Sequence, residues 1–492
     1  MYSSTLRFQT FLRLVYGQFF AQTRISGQVL DIHVKTKNLC NTSNYNKGRI
    51  MANTISFEPK LTFLSDEDQE KIHSTAMNIL SDIGMFIQHK EALALLSEAG
   101  CIIEDGDLVK IPEKLVQDAV SSAPSNIPVY NREGEHVMDL GGRRTYYGTG
   151  SDLIYAVDPD TNDRKMATLN DVKRAAHVSD ALENLDFIMS FAHPSDIPPK
   201  ESYLQSFATM AKNCVKPIVC TAENRLDINE MWNITCILRG SEEEALQKPY
   251  FICYDEPISP LKHPFESLEK LLFCAEKKIP CVYSPAPSSG AAAPITIAGH
   301  LAQALAESLC GLVIHQLKAK GAPFLMGMGQ AVLDMSSGNC LYNAPEGLMV
   351  YIGMVEMHHY YNIPNWGYGA TSDSLEPDWQ AGFEAGMMTF FSQMGGSNLC
   401  HDVGYLEFGL TNNLLEVVLC NEMIDQIRRI HQGIPIDENT LALDVIKDVG
   451  LKKGDYLAHN HTVKNLRKTQ WRPKLLSRIG TEKWIEQGKK SI

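Results

Sequence analysis

YFICYDEPISPLKHPFESLEKLLFCAEKKIPCVYS, residues 250–284, is the stretch that decides the fold. The apolar runs at 250–254 and 280–284 have the length of buried strands, and the segment between them, 265–277, spaces its apolar residues as a helix does. A strand, a helix and a second strand in such short compass make a βα unit, whose strands lie side by side and parallel. The same rhythm runs outward in both directions. Strands are expected at 146–157, 186–193, 216–221, 250–254, 280–284, 322–327, 364–369 and 398–403. Helices are expected to follow them at 169–179, 201–212, 228–238, 265–277, 297–318, 346–361, 378–394 and 414–432. Eight consecutive units fit a closed (β/α)8 TIM barrel over residues 146–432 better than an open doubly wound sheet.

Residues 51–145 read as an N-terminal helical adjunct. Ser65 is placed to cap a helix running to Leu80, with Asp66, Glu67 and Asp68 in the first turn, where the helix dipole favours acids. Further helices are expected at 90–99, ended by Gly100, and at 111–122, opened by Pro112. The charged, Trp-bearing stretch 433–492 reads as a C-terminal helical extension. Residues 1–50 differ from all of this. They hold Arg7, Arg13, Arg24, Lys35, Lys37, Lys47 and Arg49 against the single acid Asp31, and are set aside as a leader outside the fold. The chain from Met51 opens like an ordinary cytosolic N-terminus.

With 44% hydrophobic and 21% charged residues, the chain can bury a large core. Its net charge of −13 argues against a nucleic-acid partner, because neutralising phosphates takes clustered Lys and Arg. No uninterrupted apolar stretch of about 18 residues calls for a membrane. The 12 cysteines are scattered without a CxxC pair and no His/Cys grouping has zinc-ligand spacing, so isolated thiols in a reducing cytoplasm are expected, and no bound metal. Gly327-Met328-Gly329-Gln330 follows a strand but lacks the third glycine of a dinucleotide-binding turn. Ser284 and Ser288 lack the G-x-S-x-G context of a hydrolase. His358-His359 and His459-Asn460-His461 are read as structural and surface residues.

In an α/β barrel the chemistry gathers at the C-terminal ends of the strands. The side chains expected there are Tyr146, Tyr147 and Asp152, then His193, then Thr221 and Glu223, then Tyr254, Asp255 and Glu256. Trp366, Tyr368 and Asp373 follow on the seventh strand, and His401, Asp402, Tyr405 and Phe408 on the eighth. Barrel packing explains any one of these aromatics. Several of them on different strand ends, beside carboxylates, suit a quaternary ammonium, whose diffuse charge rests on ring faces rather than on hydrogen bonds.

Larger motifs carry a resemblance. Ser259-Pro260-Leu261, Pro287 with Gly290, Pro294 to Gly299, Ala306-Glu307 with Gly311, Gln316-Leu317 and Gly321-Ala322-Pro323 form one group. Ala344-Pro345-Glu346, Thr371 to Ser374, Asp378 to Gly382, and Gly395 with Asn398 and Gly404 form another. Together they resemble the trimethylamine methyltransferase superfamily over nearly everything after Met51. The resemblance implies a TIM barrel that passes a methyl group from an amine to Co(I) of a corrinoid presented by a partner protein, with no cofactor held permanently. Pyrrolysine, which the founding branch uses for trimethylamine, is absent from the 492 residues. That absence implies the branch acting on quaternary amines such as glycine betaine, proline betaine and carnitine, with glycine betaine first.

The expected cation cage is Tyr147, Trp366, Tyr368 and Phe408, with His401 and Asp402 toward a substrate carboxylate. Glu256 and Asp373 are expected to supply negative potential, and with His401 they are the candidate catalytic groups. Ser288 and Gln330 are the residues expected to meet the corrinoid. A homo-oligomer is expected. The same residues admit two other readings: a TIM-barrel lyase or decarboxylase using Glu256, Asp373 and His401, and a betaine-binding protein without catalysis.

Overall fold

The structure, a computed structural model, describes residues 57–329, 331–452 and 454–489. The expected leader at 1–50, the expected start at Met51 and the candidate corrinoid contact Gln330 lie outside those residues.

The described chain is an α/β protein. Helix α1 (Asp66–Asn78) begins where expected: Ser65 accepts the Asp68 backbone N–H, and the Asp68 carboxylate accepts that of Ser65. It continues as a π-helical turn, Ile79–Ile83, that stops at Gly84 with φ 91°. A Cβ at Gly84 would lie 2.9 Å from the Val109 carbonyl oxygen, so the sharp exit needs glycine. Helices α2 (Lys90–Glu98) and α3 (Glu113–Ser122) follow. The adjunct is not purely helical, as the reading of 51–145 had it. Strand Met85–Ile87 pairs antiparallel with Leu108–Lys110 and parallel with Lys262–His263.

Seven short parallel strands carry the framework: β1 (Tyr146–Tyr147), β2 (Ile218–Cys220), β3 (Phe251–Asp255), β4 (Cys281–Tyr283), β5 (Phe324–Met326), β6 (Trp366–Tyr368) and β7 (Leu399–His401). They form a run β2-β3-β4-β5 and a run β6-β7-β1. Isolated parallel bridges join Gly148 to Phe187, Ile188 to Ile218, and Met326 to Asn365. Alternate strand residues serve two cores, as expected of strands buried on both faces. Val219, Ile252, Val282, Leu325, Trp366 and Leu399 fall in one apolar cluster. Their neighbours Ile218, Phe251, Cys281 and Phe324 join the larger cluster that includes the helices.

Those helices are α4 (Leu169–Ala181), α5 (Ser202–Asn213), α6 (Arg225–Arg239), α7 (Phe265–Lys277), α8 (Ile297–Lys318), α9 (Pro345–Tyr360), α10 (Trp379–Gly395) and α11 (Leu414–His431). Helix α8 is long and apolar enough to cross a membrane, but most of its apolar stretch is buried within the protein. Two expected strands change form. The second, at 186–193, is reduced to the bridged residues Phe187 and Ile188. The first, expected unbroken at 146–157, is interrupted where Asp152 takes the left-handed φ of 62°; Tyr155–Val157 beyond it pairs with Arg164–Met166 and Thr411–Asn412.

A hairpin that the sequence reading placed in the helical adjunct, Ile127–Tyr130 with His136–Leu140, packs Ile127, Val129, Met138 and Leu140 into the cluster of Val219 and Leu399. Its backbone reaches Val215 and Pro249, just before β2 and β3, so it covers the end of the strands opposite their C-terminal rim. The C-terminal stretch holds short helices, among them Leu443–Leu451 and Asn460–Thr469. It is tied back where Glu422 accepts the N–H groups of Lys474, Leu475 and Leu476 at 2.7–2.8 Å.

Because Leu140 is fully buried, Leu140→Ala is expected to cost roughly 3 kcal/mol. Ser65→Ala, which removes only a cap, is expected to cost about 1 kcal/mol. Chemical denaturation of both variants checks the order; an equal cost would show that the hairpin is not part of the main core.

Candidate active site

The C-terminal ends of β3, β6 and β7 bring aromatic side chains together. Tyr368 pairs with His401 across the β6–β7 register, and Trp366 lies two residues before it on the same face. The His401 ring stacks on Trp366 with centroids 4.1 Å apart and lies 4.8 Å from Tyr368 and 6.4 Å from Tyr254. Tyr254 is 5.4 Å from Trp366, and Tyr342 extends the set to 5.7 Å from Tyr368. The Trp366 indole N–H has no hydrogen-bond partner among the described residues.

His401 is fixed through Nδ1. Its Nδ1 donates to the Gly367 carbonyl at 2.7 Å, and its Nε2 lies 3.2 Å from Asp402 Oδ2. Burial drives the imidazole pKa down to about 3, so the ring is neutral with its proton on Nδ1. The bare Nε2 has no proton to offer the Asp402 carboxyl beside it. Burial pushes the Asp402 carboxyl well above the usual carboxylate range, and its side chain is only 5% exposed. Asp402 is held at φ 68°, and Gly150 makes room for it: a Cβ at Gly150 would overlap the Asp402 carboxyl and the Tyr405 hydroxyl.

Two more carboxyls flank the rings. Glu256 accepts from the Tyr254 hydroxyl at 2.9 Å; it is open to solvent, yet enough protein surrounds it that desolvation raises its pKa. A group both accessible and enclosed is one that lines a concavity. Asp152 accepts from Ser151 at 2.8 Å and Thr221 at 3.4 Å, and lies 3.8 Å from His193, whose pKa the Asp152 hydrogen bond raises.

Not every residue expected at the site joins it. Tyr147 is fully buried on the helix side of β1, where its hydroxyl reaches the Thr389 carbonyl and Gln393 at 3.3 Å and Arg428 sits over its ring. Phe408 takes a left-handed φ of 55° in the turn Glu407–Gly409 and makes no ring contact with the set among the described residues. Asp373 spends both carboxylate oxygens on backbone N–H groups, of Tyr342 at 3.1 Å and Asn343 at 2.8 Å. It anchors the loop that carries Tyr342; burial pushes its pKa up to about 6. Ser288 lies beside Cys340, 3.4 Å away, where the loop after β4 meets the hairpin Val332–Leu333 with Cys340–Leu341.

Tyr254 and Tyr342 were missing from the expected cage. Tyr254 was visible as a strand-end residue, but only the strand's parity shows that it shares a side with Glu256 while Asp255 turns away to Lys270, 3.0 Å distant. Tyr342 follows an unforeseen hairpin and had no sequence signal.

The expectation that no cysteines group is also revised. Cys253 on β3, Cys281 on β4 and Cys274 on α7 place their sulfurs within 4.8 Å of one another, all buried. The Cys253 and Cys281 thiols donate to the Tyr254 and Val282 carbonyls at 3.7 and 3.6 Å, which suits protonated packing residues. His358 is buried, with its pKa lowered by burial to about 3, and His459 caps the helix Asn460–Thr469.

The sequence matches a family model described as trimethylamine methyltransferase over residues 35–492. A trimethylamine methyltransferase of Desulfitobacterium hafniense (strain DSM 10664 / DCB-2) is 32% identical over 433 residues, covering 88% of this chain and 87% of the relative. The glycine betaine methyltransferase of Desulfitobacterium hafniense (strain Y51) is 27% identical over 433 residues, covering 87% and 89%. Among solved structures, the monomethylamine methyltransferase of Methanosarcina barkeri aligns at a TM-score of 0.46 and 10% identity, covering 85% and 88%.

The Asp402–His401 contact has a thermodynamic consequence. A carboxyl whose folded pKa lies above its unfolded value favours folding at low pH, and that stabilisation is lost as pH rises toward the folded pKa. Asp402→Asn keeps the shape and polarity of the side chain without the ionisation. Its melting temperature is expected to exceed that of the parent by a margin that widens between about pH 4 and pH 8, at up to about 1.4 kcal/mol per pH unit. A margin independent of pH would show that Asp402 ionises normally.

Proposed function

Because the chain belongs to the trimethylamine methyltransferase family, we propose that it is an amine methyltransferase moving a methyl group from a quaternary amine to Co(I) of a corrinoid held by a separate protein. The observation that carries this reading is the convergence of Tyr254, Tyr342, Trp366, Tyr368 and His401 on the ends of parallel strands, with carboxyls beside them. Rings and acids without a nucleophile suit holding a cation. Glycine betaine, proline betaine and carnitine are the substrates that the resemblance brings forward. We further propose a closed eight-stranded TIM barrel. Its support is the three parallel bridges, which link β1 to Phe187, Ile188 to β2, and β5 to Asn365 just before β6.

The chemistry asks little of the protein's proton donors. Co(I) supplies the electron pair of the new carbon–cobalt bond, and the carbon–nitrogen pair stays on nitrogen, which leaves as a neutral tertiary amine. No proton need reach the leaving group. The chain's own part is to fix the methyl carbon toward the opening and to exclude water around the ammonium. The ring faces rest against its methyl groups, and the carboxyls balance its charge. An acid–base reading through Glu256, Asp373 and His401 has less support, since Asp373 is tied to backbone amides and His401 Nδ1 is bound to the Gly367 carbonyl. Ser288, at the junction of two loops, is proposed to meet the incoming corrinoid. A cytoplasmic location is proposed, supported by the 11 described cysteines, all unpaired.

The test is conversion of a reduced Co(I) corrinoid protein to methyl-Co(III), followed by visible absorbance, with each quaternary amine added separately. Methyl transfer with one of them is expected; none, on a corrinoid protein competent with another methyltransferase, would overturn the reading. Tyr342→Leu is expected to raise the apparent KM for the amine roughly tenfold and to change kcat less, as the loss of one desolvated cation–π face implies. An unchanged KM would remove Tyr342 from the cage.

A further inference from the structure

A quaternary ammonium arrives in one of two forms, as a bare cation or as a zwitterion with a carboxylate, and the charges of the site distinguish them. Three carboxyls face it: Asp152, Glu256 and Asp402. The groups that contact them are Ser151, Thr221 and His193 for Asp152, the Tyr254 hydroxyl for Glu256, and His401 and the Tyr405 hydroxyl for Asp402. Among the described residues no lysine or arginine joins these contacts. The nearest ammonium, Lys270, is already engaged by Asp255 at 3.0 Å and the Ala222 carbonyl at 3.1 Å, on the other side of β3.

A bound carboxylate would need a donor or a positive charge. His401, the group expected to meet it, has Nδ1 committed to the Gly367 carbonyl and a bare Nε2 turned to Asp402. It offers no N–H. The Tyr254 hydroxyl is spent on Glu256, which leaves the Trp366 indole N–H as the donor on offer, with no lysine or arginine beside it among the described residues. A carboxylate entering here would lose its water with no lysine or arginine to replace it, a cost that is large where solvent is excluded. A bare cation has the opposite balance: it brings the positive charge that the three carboxyls lack, and its methyl groups need no hydrogen bonds.

We propose that the substrate is a quaternary ammonium carrying no carboxylate, selected over betaines because rings and three carboxyls converge on the site with no lysine or arginine among them. This inference rests on the proposed methyl transfer and departs from the glycine betaine that the resemblance suggests. Glu256 is its specificity-determining residue, being the carboxyl open to an incoming ligand.

Choline and glycine betaine make a matched pair, alike in the trimethylammonium head and differing in hydroxyl against carboxylate. Calorimetric titration of the full chain with each is expected to show choline binding at least about tenfold tighter. Glu256→Gln is expected to weaken choline several-fold and to narrow its lead. Equal or tighter binding of glycine betaine overturns the inference, and so does failure of both ligands to bind. Methyl-Co(III) formation, measured alongside, separates the two claims. Betaine bound more tightly and demethylated would sink the charge selection and leave the methyl transfer standing. Tight choline binding, with no methyl transfer from any amine, would do the reverse.

Discussion

The parallel register of β6 and β7 is the constraint on which the site depends. Pairing Trp366 with Leu399 and Tyr368 with His401 sets the His401 ring within reach of Gly367 on the neighbouring strand. The hydrogen bond to that carbonyl, 2.7 Å long, fixes the tautomer. A single slip of the register would turn His401 toward the helices and bring Cys400 to the rings, since successive strand residues face opposite sides. The same alternation puts Tyr254 and Glu256 with the rings and Asp255 with Lys270.

Close packing keeps this register from drifting. Gly367 lies against Tyr351 and Ser397, and a Cβ there would sit 2.6 Å from the Tyr351 hydroxyl. That hydroxyl reaches the Tyr368 carbonyl at 3.4 Å and Ser392 at 3.1 Å, so α9 and α10 grip the strand from behind. At the opposite end the hairpin side chains Ile127 and Leu140 fill the space beneath Trp366 and Leu399. The rings are thus pressed between a packed floor and a rim of loops. Non-glycine residues in left-handed conformations, Asp152, Phe191 and Asp402, occur in three of those loops, where neighbouring contacts hold them.

The βα rhythm was legible because strands buried on both faces are continuous apolar runs and their helices keep an apolar stripe. Boundaries and parity were not. Nothing in Tyr146-Tyr147 says which ring faces the helices; β1 is two residues long, and its pairing with β7 decides it for Tyr147. Ile127–Tyr130 and His136–Leu140 alternate as strands do, but a reading fixed on helices passed over them. His401 and Asp402 were visible as a pair at a strand end, whereas the His401 tautomer depends on a carbonyl 34 residues away in sequence. Asp373 looked like a free acid because backbone amides, its actual partners, leave no trace in side-chain patterns.

The burial of Asp402 also bears on how a cation is held. Burial opposes ionisation of Asp402, because ionising it would bury an uncompensated charge. An ammonium resting on the rings removes that penalty: the carboxyl is free to ionise, and its charge then opposes the cation across a medium with little water. Glu256 differs, since it is open to solvent and engages an incoming charge before water is displaced. The accessible carboxyl draws the cation in, and the buried one strengthens its grip once there. A ligand bringing its own carboxylate gains from neither step. The neutral His401 is what keeps the arrangement one-signed, for a protonated imidazole between Trp366 and Tyr368 would compete for the ring faces that the ammonium needs.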